Sequence, residues 1–547
     1  MLMPLQRPGA LVAPPVWVCR FLAGVLILGA GAAHVFYLTH SCPLDLAPDE
    51  AHYWDWSRHL DWSYYSKGPL IAWIIRAGCE LFGPWSMAAT GTLMPAIRLP
   101  AVLCGGLLLV SLYLLTLQVT GRDGLGLAVV ALSLTVPVLV AGSSLMTIDA
   151  PYTCCWGWAL VLGHRAVFRG SGWAWPLAGL VVALGFLAKY TMVVFVPSLA
   201  LFLLTQPERR GLLFRPGFWV MCAVAGLGSL PVLLWNYQHD WITFRHVSHL
   251  AALHDETRIH WLGPLVFVGG QFALLLGFWF AFWATAMVAH NPLREKNPGL
   301  RYLWWMSAPV FCLFWGFSLK NGGGELNWPV TTYISGLVLV AFLLAGFLES
   351  PRTSIRRWTW FNLTAASILG LAVTACMHRS DWLHPVLERC TGPATAEQPL
   401  PLRRVDPTCR LRGWRTLAAE VDRLRERLRH DGAEPVLAGT NWSLPGEMGF
   451  YCSNHPPVYS LGLLQGDRHS QYDLWDNPLE NPKPFLGQTF IVVGGVGPAI
   501  AAGFDRVEPT KVLVFDVNGR PVAAWLVTVC RDFKGFPAVA GNQVEHY

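Results

Sequence analysis

Pro48-Asp49-Glu50-Ala51-His52-Tyr53-Trp54-Asp55-Trp56, continued by Ser63-Tyr64-Tyr65-Ser66-Lys67-Gly68-Pro69-Leu70, sets adjacent carboxylates, several rings and a lysine directly behind an apolar run of membrane-spanning length. Charge concentrated at that place has two readings. One is an aromatic belt at a membrane interface with a few solvated charges. The other is a reaction site at a membrane surface. The stretch lies in a loop that spans residues 40–98.

Composition puts that loop in a membrane protein. The 547 residues are 53% hydrophobic and only 14% charged, with a mean hydropathy of +0.40, which describes a polytopic α-helical membrane protein rather than a string of soluble domains. The 27 Trp supply aromatic belts at both interfaces. The net charge of +6 is spread along the chain, so no nucleic acid is expected as a partner. The 13 Cys fall mostly in apolar runs and show no zinc-type spacing. Cys390 and Cys409 lie in a region expected outside the cytoplasm, where a disulfide is admissible.

Apolar runs predict about eleven spans, near 21–39, 99–118, 125–142, 150–163, 173–188, 190–205, 217–235, 262–289, 302–318, 328–347 and 358–376. The first, preceded by Arg7 and Arg20, reads as an uncleaved span rather than a signal peptide. Lys and Arg accumulate in the segments around Arg122, Arg165, Arg169, Arg209, Arg210, Arg294, Arg301 and Arg352, and thin out in those around Lys67, Arg98, Arg245, Arg258 and Lys320. The first set marks the cytoplasmic side. The N-terminus is then expected in the cytoplasm, and the loop at 40–98 and everything after 376 on the outer face of the cytoplasmic membrane.

The chain therefore divides into a membrane domain, 1–376, and an extracytoplasmic α/β domain, 377–547. Residues 411–430 space Leu417, Val421, Leu424 and Leu428 at helical intervals among charges, an amphipathic helix. Strands are predicted at 435–438, 458–461, 490–493, 512–515 and 522–529, with Asn518-Gly519 as a hairpin turn.

If the loop is a site, unusual polar residues should converge on its side of the membrane. Asp149, in Met146-Thr147-Ile148-Asp149-Ala150-Pro151, falls in an outer turn, as does the Lys189-Tyr190 pair. Two further outer segments are Trp235-Asn236-Tyr237-Gln238-His239-Asp240-Trp241-Ile242-Thr243-Phe244-Arg245-His246 and Lys320-Asn321-Gly322-Gly323-Gly324-Glu325-Leu326-Asn327-Trp328-Pro329. Plainer roles exist for each. Asp149 can cap the helix opening at Pro151, Lys189 can snorkel to headgroups, and His239 and His246 can be hydrogen-bonded loop residues. The glycine run follows no strand and is a flexible loop rather than a phosphate cradle.

Taken together, the Asp-Glu pair, Tyr-Tyr-x-Lys-Gly-Pro-Leu, Lys-Tyr, Trp-Asn-x-x-His-Asp-Trp and Asn-Trp-Pro resemble the polyprenyl-phosphate-sugar-dependent glycosyltransferases of the GT-C fold. The set is similar to the bacterial branch of glycosyltransferase family 39, related to the protein mannosyltransferases and to the aminoarabinose transferase of family 83. Gly446-Glu447-Met448-Gly449-Phe450-Tyr451, Ser470-Gln471-Tyr472-Asp473-Leu474-Trp475 and Phe533-Lys534-Gly535-Phe536 extend the resemblance through the tail. It implies Asp49 as catalytic carboxylate with Glu50 beside it, Asp149 as a second functional acid, and Lys67 on the donor phosphate. In the aminoarabinose branch the residue before the matching lysine is a glutamate that contributes to a metal site. Here it is Ser66, so a metal-independent enzyme is expected, with a divalent metal as the open alternative and its ligands unassigned.

The implied reaction moves a sugar from a polyprenyl-phosphate donor to an envelope glycolipid, glycan or protein. Positive charge develops on the sugar and negative charge on the departing phosphate, so cations are needed near the phosphate and a base near the acceptor. Lys67, Lys189 and Arg245 are the candidate phosphate cations. Asp49 is the expected base, with inversion at the anomeric carbon, and Tyr64, Tyr65, His239, Asn327 and Trp328 are expected to line the substrate. Residues 70–75 are suited to an interfacial helix along the donor's tail. Two other classes stay open: a polytopic transporter, which would place charge near mid-membrane, and a non-catalytic carbohydrate-binding membrane protein.

Overall fold

The computed structural model describes residues 14–250, 259–430, 432 and 434–536. Arg7 and Arg258, two of the charges behind the expected orientation, lie outside them. The first part of the chain is helical throughout: α1 (Val16–Phe36), α2 (Pro48–Arg58), α3 (Leu70–Thr90), α4 (Met94–Thr120), α5 (Asp123–Ser133), α6 (Pro137–Gly142), α7 (Asp149–Arg169), α8 (Ala174–Ala188), α9 (Phe195–Leu204) and α10 (Pro216–Gln238). It continues with α11 (Ile242–Leu250), α12 (Gly263–Leu274), α13 (Phe278–Ala289), α14 (Pro298–Asn321), α15 (Thr332–Leu348) and α16 (Thr353–His378).

Among the described residues, five helices are long and apolar enough to cross a bilayer: Val16–Ser41, α4, α10, α14 and α16. These are the spans expected near 21–39, 99–118, 217–235, 302–318 and 358–376. The chain is a multi-pass membrane protein. The run at 262–289 is not one straight helix. α12 and α13 meet at 116°, where Leu276 and Gly277 take φ of 55° and 71° and stop the helix from continuing. The run at 125–142 likewise divides into α5 and α6 ahead of Pro137.

Shorter apolar helices fill the interior. Residues 332–341 of α15 are all buried, the environment of a helix that is apolar on every side. α3, expected only as a strip at 70–75, runs 21 residues and exposes Leu81, Trp85 and Met87.

Beyond α16 come α17 (His384–Thr391), α18 (Trp414–His430), α19 (Leu444–Tyr451), α20 (Pro498–Ala501) and a six-stranded sheet. The strands are β1 (Val436–Gly439), β2 (Val458–Ser460), β3 (Phe490–Val493), β4 (Phe504–Val507), β5 (Lys511–Val517) and β6 (Arg520–Phe533). Their order is β2-β1-β3-β6-β4, with β5 pairing β6. β1 runs parallel to β2 and β3, and β6 antiparallel to its three neighbours.

All five expected strands are present, β4 is additional, and Asn518 and Gly519 turn the β5/β6 hairpin with φ of 52° and 75°. α18 buries Leu417, Val421 and Leu428 against this sheet. Cys390 and Cys409 are not joined: Cys409 packs in a small core with Leu402 and Val522, while Cys390 is exposed.

The tail is bolted to the segment around α2. Asp45 accepts the Trp414 amide at 2.9 Å and pairs with Arg415 at 3.0 Å, the Tyr451 hydroxyl accepts the Leu46 amide at 2.6 Å, and Gln471 accepts the Tyr65 amide at 2.7 Å. At Gly446 the backbones of α19 and α2 touch. A Cβ there would lie 2.8 Å from the His52 nitrogen and 2.9 Å from the Ala51 carbonyl carbon, so any side chain would force the two parts of the protein apart.

Candidate active site

Asp49 and Glu50 are neighbours in sequence and strangers in space, because successive helical residues point about 100° apart. Glu50 turns inward and is wholly buried with Arg98. Its Oε2 lies 2.7 Å from Arg98 Nη2 and accepts the Ala47 amide at 2.9 Å, while its Oε1 takes Arg98 Nε at 3.0 Å and the Met146 amide at 2.8 Å. Arg98 also donates to the Asp45 carbonyl at 2.7 Å. A dry ion pair holds only when its remaining donors and acceptors are satisfied, and this one is. Glu50 thus ties α2 to α4 and to the strap before α7, and it does not face the cavity that Asp49 faces.

Asp49 opens onto a cavity lined by His52, Tyr53, Tyr65, Ser66, Lys67, His246, Trp442, Arg468, His469 and Ser470, with about 490 Å³ of empty space counting its mouth. His52 and Tyr53 follow Asp49 by three and four residues and so share its helix face. Enclosure by protein pushes the Asp49 carboxyl above the usual carboxylate range, against the pull of Lys67 and Arg468. The same enclosure, with help from nearby Lys189, brings the Lys67 ammonium down to about 8. Lys67 is aimed by a tight turn in which the Tyr64 amide donates to its carbonyl at 3.1 Å. The next residue, Gly68, sits so close to the end of α8 that a Cβ would be 2.2 Å from the Leu187 carbonyl oxygen.

That contact brings Lys67 beside a second cluster. Lys189 breaks the helix after α8, and its Nζ lies 2.8 Å from Asp149 Oδ1 at the start of α7. Asn327 donates to Asp149 Oδ2 at 2.6 Å. Asp149 is near enough to act electrostatically on both Asp49 and Lys67. The structure therefore assembles Asp49, Lys67, Asp149, Lys189 and Asn327 from five separate segments, with Tyr65 and His246 on the cavity wall.

Besides Glu50, four expected residues lie elsewhere. Tyr64 is fully buried, stacked on Trp56 at 4.4 Å with its hydroxyl donating to the Trp56 and His59 carbonyls, so it props the loop and is not on the cavity wall. His239 stacks on Trp235 at 3.9 Å and bonds that residue's carbonyl through Nδ1. Arg245 is exposed and does not line the cavity. Trp328 packs on Phe314 within the helical core.

Several wall residues went unread in the sequence. His52 and Tyr53 carried a signal in their helical spacing from Asp49. Trp442, Arg468, His469 and Ser470 carried none, being ordinary loop residues of the tail. Glu447, on α19, is wholly buried behind α2 with no hydrogen-bond partner for either oxygen among the described residues. Burial, with Asp45 and Glu50 nearby, raises its carboxyl well above the ordinary range.

Among the described residues, the trio of His, Cys, Asp or Glu close enough to share a metal ion is His384, Asp406 and Cys409, all buried in the tail. Asp406 there already bonds His384 at 2.8 Å and caps the turn at Thr408. Asp49 and Asp149 form no such group.

Comparison with known proteins fits this geometry. Residues 66–235 match the family model described as dolichyl-phosphate-mannose-protein mannosyltransferase. The chain is 32% identical over 310 residues to the lipid A galacturonosyltransferase RgtD of Rhizobium johnstonii, covering 56% of this chain and 62% of that protein. It is 24% identical over 374 residues to the undecaprenyl phosphate-alpha-4-amino-4-deoxy-L-arabinose arabinosyl transferase of Pectobacterium atrosepticum, covering 62% of this chain and 63% of the relative. The alignments thus span less than two thirds of the length of these relatives.

Among solved structures, ArnT from Cupriavidus metallidurans in its apo state superposes with a TM-score of 0.53 at 18% identity, covering 92% of this chain and 97% of that one. The same protein bound to undecaprenyl phosphate superposes at 0.51 and 16%, covering 94% and 98%. The fold is therefore of the ArnT, GT-C type over nearly the whole chain.

Proposed function

We propose that the protein is a membrane glycosyltransferase that moves a sugar from a polyprenyl-phosphate donor to an envelope glycolipid, by inverting displacement at the anomeric carbon. The observation that carries this reading is the cavity itself: one solvent-reachable carboxylate, Asp49, faces the ammonium of Lys67, and both have been made less comfortable in their charged forms by enclosure. Asp49 takes the proton of the acceptor hydroxyl as that oxygen attacks C1 of the sugar, and the bond from C1 to the phosphate oxygen breaks. Lys67 stabilises the charge that arrives on the departing phosphate. Lys189, neutralised by Asp149, holds the second acid in place with Asn327. Asp149 then orients the sugar or the acceptor rather than competing for the proton.

The relatives support the substrate class. One is named for transfer of galacturonosyl groups to lipid A, another for an undecaprenyl-phosphate-linked aminoarabinose, and the ArnT fold has been seen with undecaprenyl phosphate bound. We place the protein in the cytoplasmic membrane with its N-terminus inside, residues 1–376 as the membrane domain, and the site and residues 377–547 on the outer face. A lipid donor kept in the bilayer presents its phosphate there, so that positioning supplies much of the rate.

The test is transfer by the purified full-length protein in nanodiscs, using undecaprenyl-phosphate galacturonate and undecaprenyl-phosphate aminoarabinose in parallel with lipid A, read as a mass increment on the acceptor. Transfer that disappears in Asp49→Asn supports the assignment. An unmodified acceptor with both donors, or undiminished transfer by Asp49→Asn, would sink it.

A further inference from the structure

The tail contributes more than a wall to the cavity. Arg468 reaches the cavity that holds Asp49 and Lys67, with its guanidinium 4.3 Å over the ring of Trp442. Trp442 is itself braced, edge on, against His52 of α2 at 5.8 Å. Stacking fixes the plane of the guanidinium and leaves its edge of N–H donors for a ligand, the arrangement that suits bidentate capture of an oxyanion. Among the described residues, neither Arg468 nor the ammonium of Lys67 has a hydrogen-bond or ion-pair partner, whereas Lys189 is bonded to Asp149.

Charge counting then separates the roles. The Asp149/Lys189 pair is neutral throughout. Before transfer the remaining groups are Lys67 and Arg468, each positive, Asp49, negative, and a donor phosphodiester with one negative charge, which together are neutral. In the reaction the acceptor O–H gives its proton to Asp49, its oxygen forms the new bond to C1, and the C1–O bond breaks with its electron pair going to the phosphate. The product polyprenyl phosphate carries close to two negative charges at neutral pH. Lys67 and Arg468 now face that dianion while Asp49 is neutral, and the sum is again zero. Without Arg468 the site would hold an uncompensated negative charge at both ends of the reaction, in a cavity where enclosure already disfavours charge.

We propose that Arg468, delivered by the C-terminal domain, is the second cation on the donor phosphate, gripping most tightly as that phosphate gains its second charge. The proposal rests on the transferase reading. It gives the C-terminal domain a direct place in the chemistry and takes over the part that Arg245, exposed outside the cavity, does not fill.

The experiment uses the full-length protein in nanodiscs and undecaprenyl phosphate as probe. Arg468→Gln should weaken undecaprenyl-phosphate binding by roughly ten- to a hundredfold, the effect of a lost charge-assisted hydrogen bond. It should also raise KM for the sugar donor and lower kcat, leave KM for lipid A unchanged, and leave the thermal midpoint unchanged because the side chain is exposed and bonds nothing. Arg468→Lys, keeping charge without the fork, should fall between. If the wild-type protein transfers sugar while Arg468→Gln binds undecaprenyl phosphate as tightly as wild type, the proposal is overturned and the transferase reading stands. A rise confined to KM for lipid A also overturns it, by assigning Arg468 to an acceptor phosphate. A wild-type protein that neither binds the probe nor transfers sugar removes the transferase reading and this one with it.

Discussion

Two acids side by side on one helix, Asp49 and Glu50, live in opposite electrostatic worlds. Around Glu50 every lone pair that matters is occupied, by Arg98 and by the amides of Ala47 and Met146, and both members of the ion pair are buried. Around Asp49 a cavity stands open, and the cations that face it, Lys67 and Arg468, are bonded to nothing among the described residues. The contrast teaches how to divide charge in a membrane protein between structure and chemistry. Charges that saturate one another hold helices together, and charges left unsatisfied around a space are available to a ligand.

The sharpest way to break that contrast is Asp49→Asn. It should reduce the proposed transfer by about a hundred- to ten-thousandfold, the span of general-base contributions, with an unchanged thermal midpoint. A comparable loss accompanied by unfolding would instead put Asp49 with the structural charges. Arg98→Leu probes the other side. Leaving the Glu50 carboxylate buried without its cation should destabilise the protein by about 3–5 kcal/mol, seen as a lower midpoint in fluorescence-detected size exclusion. A fully stable Arg98→Leu protein would mean that the clamp is decorative.

A smaller effect is expected from pH. Asp49 must be ionised to act as base, so the rate should fall as pH drops through its raised pKa, at a higher pH than an ordinary carboxylate would give. Lys67 must keep its proton, so the rate should fall again as pH rises through about 8. Lys67→Arg, whose cation stays protonated, should lift the alkaline limb specifically. The smallest effect belongs to Glu447→Gln. Burial raises its carboxyl well above the ordinary range, so the acid is expected to be neutral and the amide should leave the midpoint nearly unchanged, whereas an ionised Glu447 would make the same change clearly stabilising.

The legible part of this molecule was whatever depended on residue type within one segment. The stretch at 48–70 announced a site because carboxylates, rings and a lysine seldom gather behind an apolar span, and β3 could be placed from its four apolar residues alone. What depended on partners far along the chain was hidden. Nothing near Glu50 indicates Arg98, 48 residues on, so the pair looked like two catalytic acids. Arg468 sits in an Asp-Arg-His loop like many others, and the docking of the tail on the α2 segment, through Gly446 and the Gln471–Tyr65 bond, brings it to Asp49. The length of α3 was masked by Arg76 and Glu80, which interrupt its apolar run yet satisfy each other one turn apart. β4, a Phe-Asp-Arg-Val edge strand with one buried residue, offers too little alternation to be read.

The seating of Gly68 on the Leu187 carbonyl has a consequence for how the protein senses its surroundings. Lys67 is carried by the loop between α2 and α3, while Asp149 and Lys189 sit at the ends of α7 and α8, and this contact, with the Ser63 and Tyr190 hydroxyls 3.4 Å apart beside it, registers one against the other. A bilayer thicker or thinner than the spans prefer makes helices tilt to match it, and tilt of α8 would carry Lys189 away from Lys67 through the very turn that aligns them. Acyl-chain length of the host membrane is thus expected to modulate the proposed transfer, acting on the spacing of two cations without touching either.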